Sequence, residues 1–253
     1  MTKSKIALVT GGSRGLGKDM ALSLAQKGIN VILTYNSKKE EAHEVVQQIE
    51  AMGQKALALP LNVADSKSFD AFFADITEGL IRVFDTAKFD FIINNAGVGA
   101  YALFADTPEE TFDMLMNIHF KGAFFLTQKA LPLMNDGGGI VNISTGLTRI
   151  ILPNYSPYAA MKGAMETLTK YQAKELGSRK IRVNIVAPGA IATDFGGGAV
   201  RDNPQVNGYI ASQTALGRVG MPDDIGSVVA FLCTDDAKWV NAQRIEVSGG
   251  QMI

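Results

Sequence analysis

Lys5-Ile6-Ala7-Leu8-Val9-Thr10-Gly11-Gly12-Ser13-Arg14-Gly15-Leu16-Gly17 is an apolar run that breaks into a glycine turn and leads directly into a helix-periodic segment. A buried strand, a turn without bulky side chains and a helix N-terminus, in that order, form a pyrophosphate cradle. Backbone N–H groups and the positive end of the helix dipole face the ligand there, and the glycines let it approach. Gly12 to Lys18 also satisfies the first seven positions of a nucleoside-triphosphate loop, but the eighth is Asp19, where a serine or threonine should hold magnesium. An acid at that place repels phosphate, so the triphosphate reading is rejected.

Outward from this stretch, short apolar runs alternate with longer helical patterns, which predicts a parallel sheet covered on both faces. The expected strands are Lys5 to Thr10, Asn30 to Tyr35, Ala56 to Leu61, Phe89 to Asn94, Gly139 to Thr145, Ile181 to Ala187 and Arg244 to Val247. The expected helices are Leu16 to Lys27, Lys38 to Met52, Ser66 to Arg82, Pro108 to Asn117, Lys121 to Met134, Tyr155 to Leu176 and Pro222 to Thr234. No repeat, charge block or Pro/Ser-rich linker marks a boundary. The reading is α/β: one doubly wound Rossmann-type domain over residues 1–253, with a seven-stranded parallel sheet. Thr193 to Gly220, with Gly196-Gly197-Gly198 and Asn203-Pro204, reads as a long mobile loop over the substrate.

Composition narrows the function classes. Twenty-four lysines and arginines balance 25 acids, leaving a net charge of -1 and no basic stripe for nucleic acid. The one cysteine, Cys233, forms no internal disulfide and no CxxC redox or zinc site. His43 and His119 stand far apart without acidic companions at ligand spacing, so no metal site and no histidine triad is expected. The apolar runs are of strand length, so neither a signal peptide nor a membrane span is expected, and the chain reads as cytoplasmic.

Tyr158 and Lys162, four apart in a helical pattern, share one helix face. A phenol with an ordinary pKa of about 10 is a poor base at neutral pH, but a fixed ammonium favours its phenolate. The pair can therefore exchange a proton with a substrate oxygen. Tyr155 has Ala159 where a lysine would be needed.

Thr10-Gly11-x-x-x-Gly15-x-Gly17, Asn94-Asn95-Ala96-Gly97, Tyr158-x-x-x-Lys162 and Pro188-Gly189 come in order, each at an expected strand or helix end. Together they resemble the short-chain dehydrogenase/reductase family over Ile6 to Gly250, with most likeness to its 3-oxoacyl-[acyl-carrier-protein] reductases. The resemblance implies an oxidoreductase that moves a hydride between a nicotinamide and a carbonyl or secondary alcohol, with a 3-oxoacyl thioester as one candidate. It implies a serine thirteen residues before the tyrosine, and that count lands on Thr145. Ser144 is one residue away, on the opposite strand face, and fills the role only if the strand carries a bulge. It implies that Asn117, at the end of the Pro108 helix, holds a water that relays protons to Lys162; the same asparagine also suits a helix C-cap. His119 reads as a packing residue.

The resemblance also distributes the cofactor contacts. Gly11, Ser13, Arg14, Gly15, Leu16 and Gly17 form the phosphate turn, and Asn95, Ala96 and Gly97 follow the fourth strand. Asn62 and Val63 stand at the adenine, and Pro188, Gly189, Ile191 and Thr193 hold the carboxamide. The second strand ends in Tyr35-Asn36-Ser37-Lys38, with no acid before Glu40 to take a ribose 2'-hydroxyl. Arg14 suits a 2'-phosphate, so NADP(H) is the expected cofactor. The family also implies a homotetramer, with surplus apolar surface on Phe120, Ala123, Phe124, Leu126 and Leu131 of one helix and Met161, Met165, Leu168 and Tyr171 of another. The rival expectation is an NADP(H)-binding sensor or scaffold that has lost catalysis, motivated by Thr145 in the serine's place.

Overall fold

The structure is a computed structural model that describes residues 4–253. Seven parallel strands form one sheet in the order β3-β2-β1-β4-β5-β6-β7. They are β1 Ile6–Val9, β2 Asn30–Tyr35, β3 Ala56–Pro60, β4 Phe89–Asn94, β5 Met134–Ile143, β6 Arg182–Pro188 and β7 Arg244–Val247. Strand residues alternate between two cores, as the period of two in a strand requires. Ala7 and Val9 enter one core with Val31, Leu33 and Ile93, whereas Ile6 and Leu8 enter the other with Ile32, Phe89 and Ile92.

Helices α1 Gly15–Gln26, α2 Lys39–Ala51 and α9 Pro222–Leu232 close the first core; α3 Phe69–Phe84, α5 Ala123–Ala130 and α6 Ser156–Glu175 close the second. Asp19 accepts from Ser23 Oγ at 3.3 Å on the side of α1 that meets α9. Its carboxyl is therefore turned from the cradle, and burial raises its pKa. The strand order reverses between β1 and β4, and the crevice beyond the strand C-termini at that switch point is where an open α/β sheet binds ligands.

Three expectations need correction. The helix expected to reach Met134 ends at Ala130, and a 3-10 turn with Pro132 passes into β5 five residues earlier than expected. Gly137, at φ +80, and Gly138, whose added Cβ would stand 2.0 Å from the Asp90 carbonyl, carry that early part of the strand past β4. The helix expected to stop at Asn117 does not stop. α4 Glu109–Met116 continues through a π-helical turn, Asn117–Gly122, into α5, so Asn117 is no C-cap. The supposed long loop holds α7 Ala199–Asp202 and α8 Pro204–Ser212. Asn203, read as loop composition, accepts from the Gln205 and Val206 amides as an N-cap, and Pro204 sits in the first turn where its missing donor costs nothing.

Candidate active site

A cleft of about 490 Å3 runs along the C-terminal ends of the strands. The glycine turn floors one end. Thr10 Oγ1 donates to the Ile93 carbonyl at 3.2 Å and accepts from the amides of Asn95 and Ala96, both at 3.0 Å. Asn95 Nδ2 donates back to the Thr10 and Gly11 carbonyls at 2.9 and 3.2 Å. The segment after β4 is thus a clamp on the turn. Gly17 is required by closeness, since an added Cβ would stand 2.1 Å from the Gly11 carbonyl; Gly11, at φ +67, is required by conformation. Helix α1 starts at Gly15 with no side-chain cap and no acid in its first turn, so its first N–H groups are left for a ligand. The cradle fits a dinucleotide pyrophosphate.

Ser13, Arg14, Leu16, Asn36, Ser37, Lys38, Asn62 and Val63 line the same end of the sequence-expected site, and Pro188, Gly189, Ile191 and Thr193 line its continuation after β6. Arg14 does not stand free. Its Nη1 pairs with Asp194 Oδ2 at 2.5 Å, which ties the turn to the segment after β6. No sequence signal announced that partner.

The chemical end is built on α6 and β5. Lys162 is buried and its Nζ donates to the Ile143 carbonyl at 2.8 Å, 5.8 Å from the Tyr158 ring centre. Burial lowers the Lys162 pKa to about 8. Burial pushes the Tyr158 phenol well above its ordinary value, while a hydrogen bond from Thr145 pulls the other way. A phenol kept protonated beside an ammonium is a proton donor. The two hydroxyls just beyond β5 have different partners: Thr145 engages Tyr158, whereas Ser144 Oγ donates to Glu166 Oε1 at 2.6 Å.

Asn117 departs from the expectation. It does not line the cleft, whereas Ile118 and His119 do. His119 is buried, with its ring edge-on to Tyr158 at 5.1 Å, and Gly97 makes room for it, since an added Cβ would stand 2.7 Å from His119 Cε1. The π turn begins at Asn117 itself, and it is Ile118 and His119 within that turn that reach the cleft. Sequence reading also missed Tyr101 and Gln251, which line the cleft. Tyr101 meets Tyr155 edge-on at 5.1 Å, and Gln251 Oε1 accepts from the Ala190 amide at 3.1 Å.

A parallel sheet with a dinucleotide cradle at its switch point and a Thr-Tyr-Lys group in the same cleft defines a nicotinamide-dependent oxidoreductase. The chain belongs to the short-chain dehydrogenase/reductase family: the family model described as enoyl-(acyl carrier protein) reductase matches residues 11–252. It is 38% identical over 252 residues to the 3-oxoacyl-[acyl-carrier-protein] reductase FabG of Staphylococcus aureus, covering 99% of each chain. It is 34% identical over 267 residues to the trihydroxynaphthalene reductase PfmaI of Pestalotiopsis fici, covering 99% of this chain and 90% of that one. Among solved structures, the angucycline C-6 ketoreductase LanV with bound NADP superposes with a TM-score of 0.93 at 37% identity, covering 98% and 95% of the two chains. LanV has also been solved with NADP and rabelomycin. The protein is an NADP(H)-dependent oxidoreductase acting on carbonyl or alcohol groups.

Proposed function

We propose that this enzyme reduces the carbonyl of a flat, fused-ring aromatic ketone. The observation that carries the reading is the aromatic wall around the proton donor. Tyr101 and Tyr155 meet edge-on, Phe195 lies 6.0 Å from the Tyr158 ring, and Tyr209 joins them in the lining. Rings packed this way favour a flat π-surface as their next neighbour. The relative that acts on a naphthalene and the likeness to LanV support it.

When bound, the nicotinamide supplies the hydride. Tyr158 delivers the proton, Thr145 donates to the substrate oxygen, and Lys162 keeps positive charge beside the phenol. Arg14 takes the 2'-phosphate, with Asn36, Ser37 and Lys38 along the ribose; Asn62 and Val63 take the adenine, and Ile191 and Thr193 the carboxamide. No observation favours the sensor. A second reading, reduction of a 3-oxoacyl thioester, is supported by the identity to FabG over the whole chain. NADPH oxidation with a hydroxylated tetralone and with an acetoacetyl thioester separates the two. The expected result is a kcat/KM higher for the tetralone by about tenfold or more, a difference of about 1.4 kcal/mol. Equal or better turnover of the thioester overturns the first reading in favour of the second.

We also place the enzyme in the cytoplasm as a homotetramer. The apolar surplus differs from the sequence expectation: Leu126, Met161 and Met165 are buried within the chain, whereas Phe112, Phe125 and Tyr171 on α4, α5 and α6 are exposed. A monomer by light scattering at micromolar concentration refutes the assembly.

A further inference from the structure

Gln251, in the C-terminal segment after β7, is only 8% exposed, yet it lines the cleft. Its amide is half used. Oε1 accepts from the Ala190 amide at 3.1 Å, whereas Nε2 makes no hydrogen bond among the described residues. Turning the amide over would set its N–H groups against the N–H of Ala190, so the oxygen belongs at Ala190 and the donor is left over. The backbone around it is held on three sides. The Gln251 amide donates to the Ser248 carbonyl at 3.2 Å, its carbonyl accepts from Arg149 Nη2 at 2.8 Å, and the Met252 amide donates to the Gln213 carbonyl at 2.8 Å. A donor so buried, so firmly held and without a partner is costly until a ligand completes it.

The place of the amide says what kind of ligand it meets. Gly146, the residue after Thr145, packs against Gly189, since an added Cβ would stand 3.9 Å from Gly189 Cα. Gly189 packs in turn against the Gln251 side chain, its own added Cβ 3.0 Å from Oε1. The amide therefore stands beside the segment that carries the Thr145 hydroxyl, at the chemical end of the cleft. Among the described residues, the lysines and arginines that line the cleft are elsewhere: Arg14 and Lys38 at the glycine-turn end, and Lys162 with its Nζ on the Ile143 carbonyl. Arg149 is paired with Glu246. An anionic substituent would meet no free counter-charge beside Gln251, whereas a neutral oxygen matches a neutral N–H donor. We propose that Gln251 Nε2 donates to a second, neutral oxygen of the substrate, separate from the carbonyl that is reduced, and that this bond selects oxygenated ring systems over plain ones. Stacking alone leaves a flat molecule free to turn in its own plane. Two polar points, Thr145 with Tyr158 at one oxygen and Gln251 at the other, fix which carbonyl is presented. The inference rests on the reading of the substrate as a fused-ring ketone and adds to it the polar substituent that the ring must carry.

NADPH oxidation with plain tetralone, and with methoxytetralones and hydroxytetralones substituted at each aromatic position, tests the assignment. A methoxy oxygen only accepts, whereas a hydroxyl both accepts and donates. The parent enzyme is expected to prefer one methoxy position, and the matching hydroxy position, over plain tetralone by about five- to tenfold in kcat/KM, with the difference in KM. Gln251→Met keeps the length and deletes the amide, so both preferences are expected to fall to about one. Gln251→Glu keeps an acceptor for Ala190 and sets an oxygen where the donor was. It is expected to lose the methoxy preference and keep the hydroxy one, because a hydroxyl can turn round and donate. A glutamine that only holds the backbone gives no such split. No preferred position in the parent, or a methoxy preference that survives in Gln251→Glu, overturns the proposal. NADPH affinity of Gln251→Glu by calorimetry is expected to stay within about twofold of the parent; a loss as large as that in kcat/KM assigns the amide to the cofactor and overturns the proposal as well. Tetralones that are turned over with no Gln251 effect overturn this inference alone, whereas tetralones outdone by the acetoacetyl thioester overturn the substrate reading beneath it and this inference with it.

Discussion

The two halves of the cleft are made of different material. The cofactor half is backbone: a glycine turn clamped by Asn95, an uncapped helix N-terminus and strand ends in fixed register. The substrate half is side chains that converge from distant places: Tyr101 after β4, Tyr155 before α6, and Phe195 and Tyr209 between β6 and α9. Backbone geometry tolerates few sequences, so the first half follows a motif. The second tolerates many, so the same scaffold serves many substrates.

The largest expected effect is at the junction of the halves. Tyr158→Phe removes one hydroxyl and keeps the ring, so turnover is expected to fall by roughly 100-fold to 10,000-fold. NADPH affinity by calorimetry should stay within about twofold, a few tenths of a kcal/mol; a variant that loses both has lost the site and not the proton donor.

Thr145→Val is expected to cost about 100-fold in kcat, the effect of removing a donor aimed at the reacting oxygen, whereas Thr145→Ser keeps activity. Ser144→Ala should cost little turnover, because that hydroxyl is bound to Glu166. The reverse ranking in steady-state kinetics would assign the β5 role to Ser144.

On the cofactor side, Arg14→Ala is expected to erase an NADPH over NADH preference of about tenfold, about 1.4 kcal/mol. Asp194→Asn releases Arg14 from its ion pair, so it should tighten NADPH and leave NADH unchanged. Tightening of both equally would show that Asp194 shapes the cleft and does not compete for Arg14. On the substrate side, Phe195→Ala is expected to lower kcat/KM for the tetralone by about three- to tenfold, the worth of one ring contact. NADPH binding should be untouched. A comparable loss with both would dissolve the division between the halves.

The smallest effect lies in the ties that Arg149, after β5, makes to β7 and the C-terminal residues. Glu246 is held at a pKa of about 2, against an ordinary 4.5, chiefly by Arg149 and then, against the opposing effect of burial, by Arg244 and Ser248. A carboxyl whose folded pKa is depressed gives stability that is present above its unfolded value and lost as pH falls toward the folded one. The melting temperature of Glu246→Gln should therefore lie below that of the parent at pH 7 and converge with it between about pH 4.5 and 2. A constant gap across that range would show that shape, and not charge, is what the residue contributes.

By itself the sequence determined the sheet, the glycine cradle and the meeting of Tyr158 with Lys162. Glycines at Gly11, Gly15 and Gly17 have steric reasons that need no tertiary context, and Tyr158 and Lys162 meet because four residues make about one helical turn. Alternation also set Ser144 and Thr145 on opposite faces, and in the structure they bond to different partners, Ser144 to Glu166 and Thr145 to Tyr158. The resemblance failed to place one residue. Ile118 and His119, within a π turn that opens at Asn117, line the cleft while Asn117 does not, and nothing local in Asn117-Ile118-His119 signals a wider turn. Long-range partners were equally invisible: Asp194 stands 180 residues from Arg14, and Gln251 meets the Ala190 amide across 61 residues. Periodicity and steric demand act between neighbours in the chain, and so can be read from it. Partnership between distant side chains, and the spaces left among them, exist only after the elements have packed.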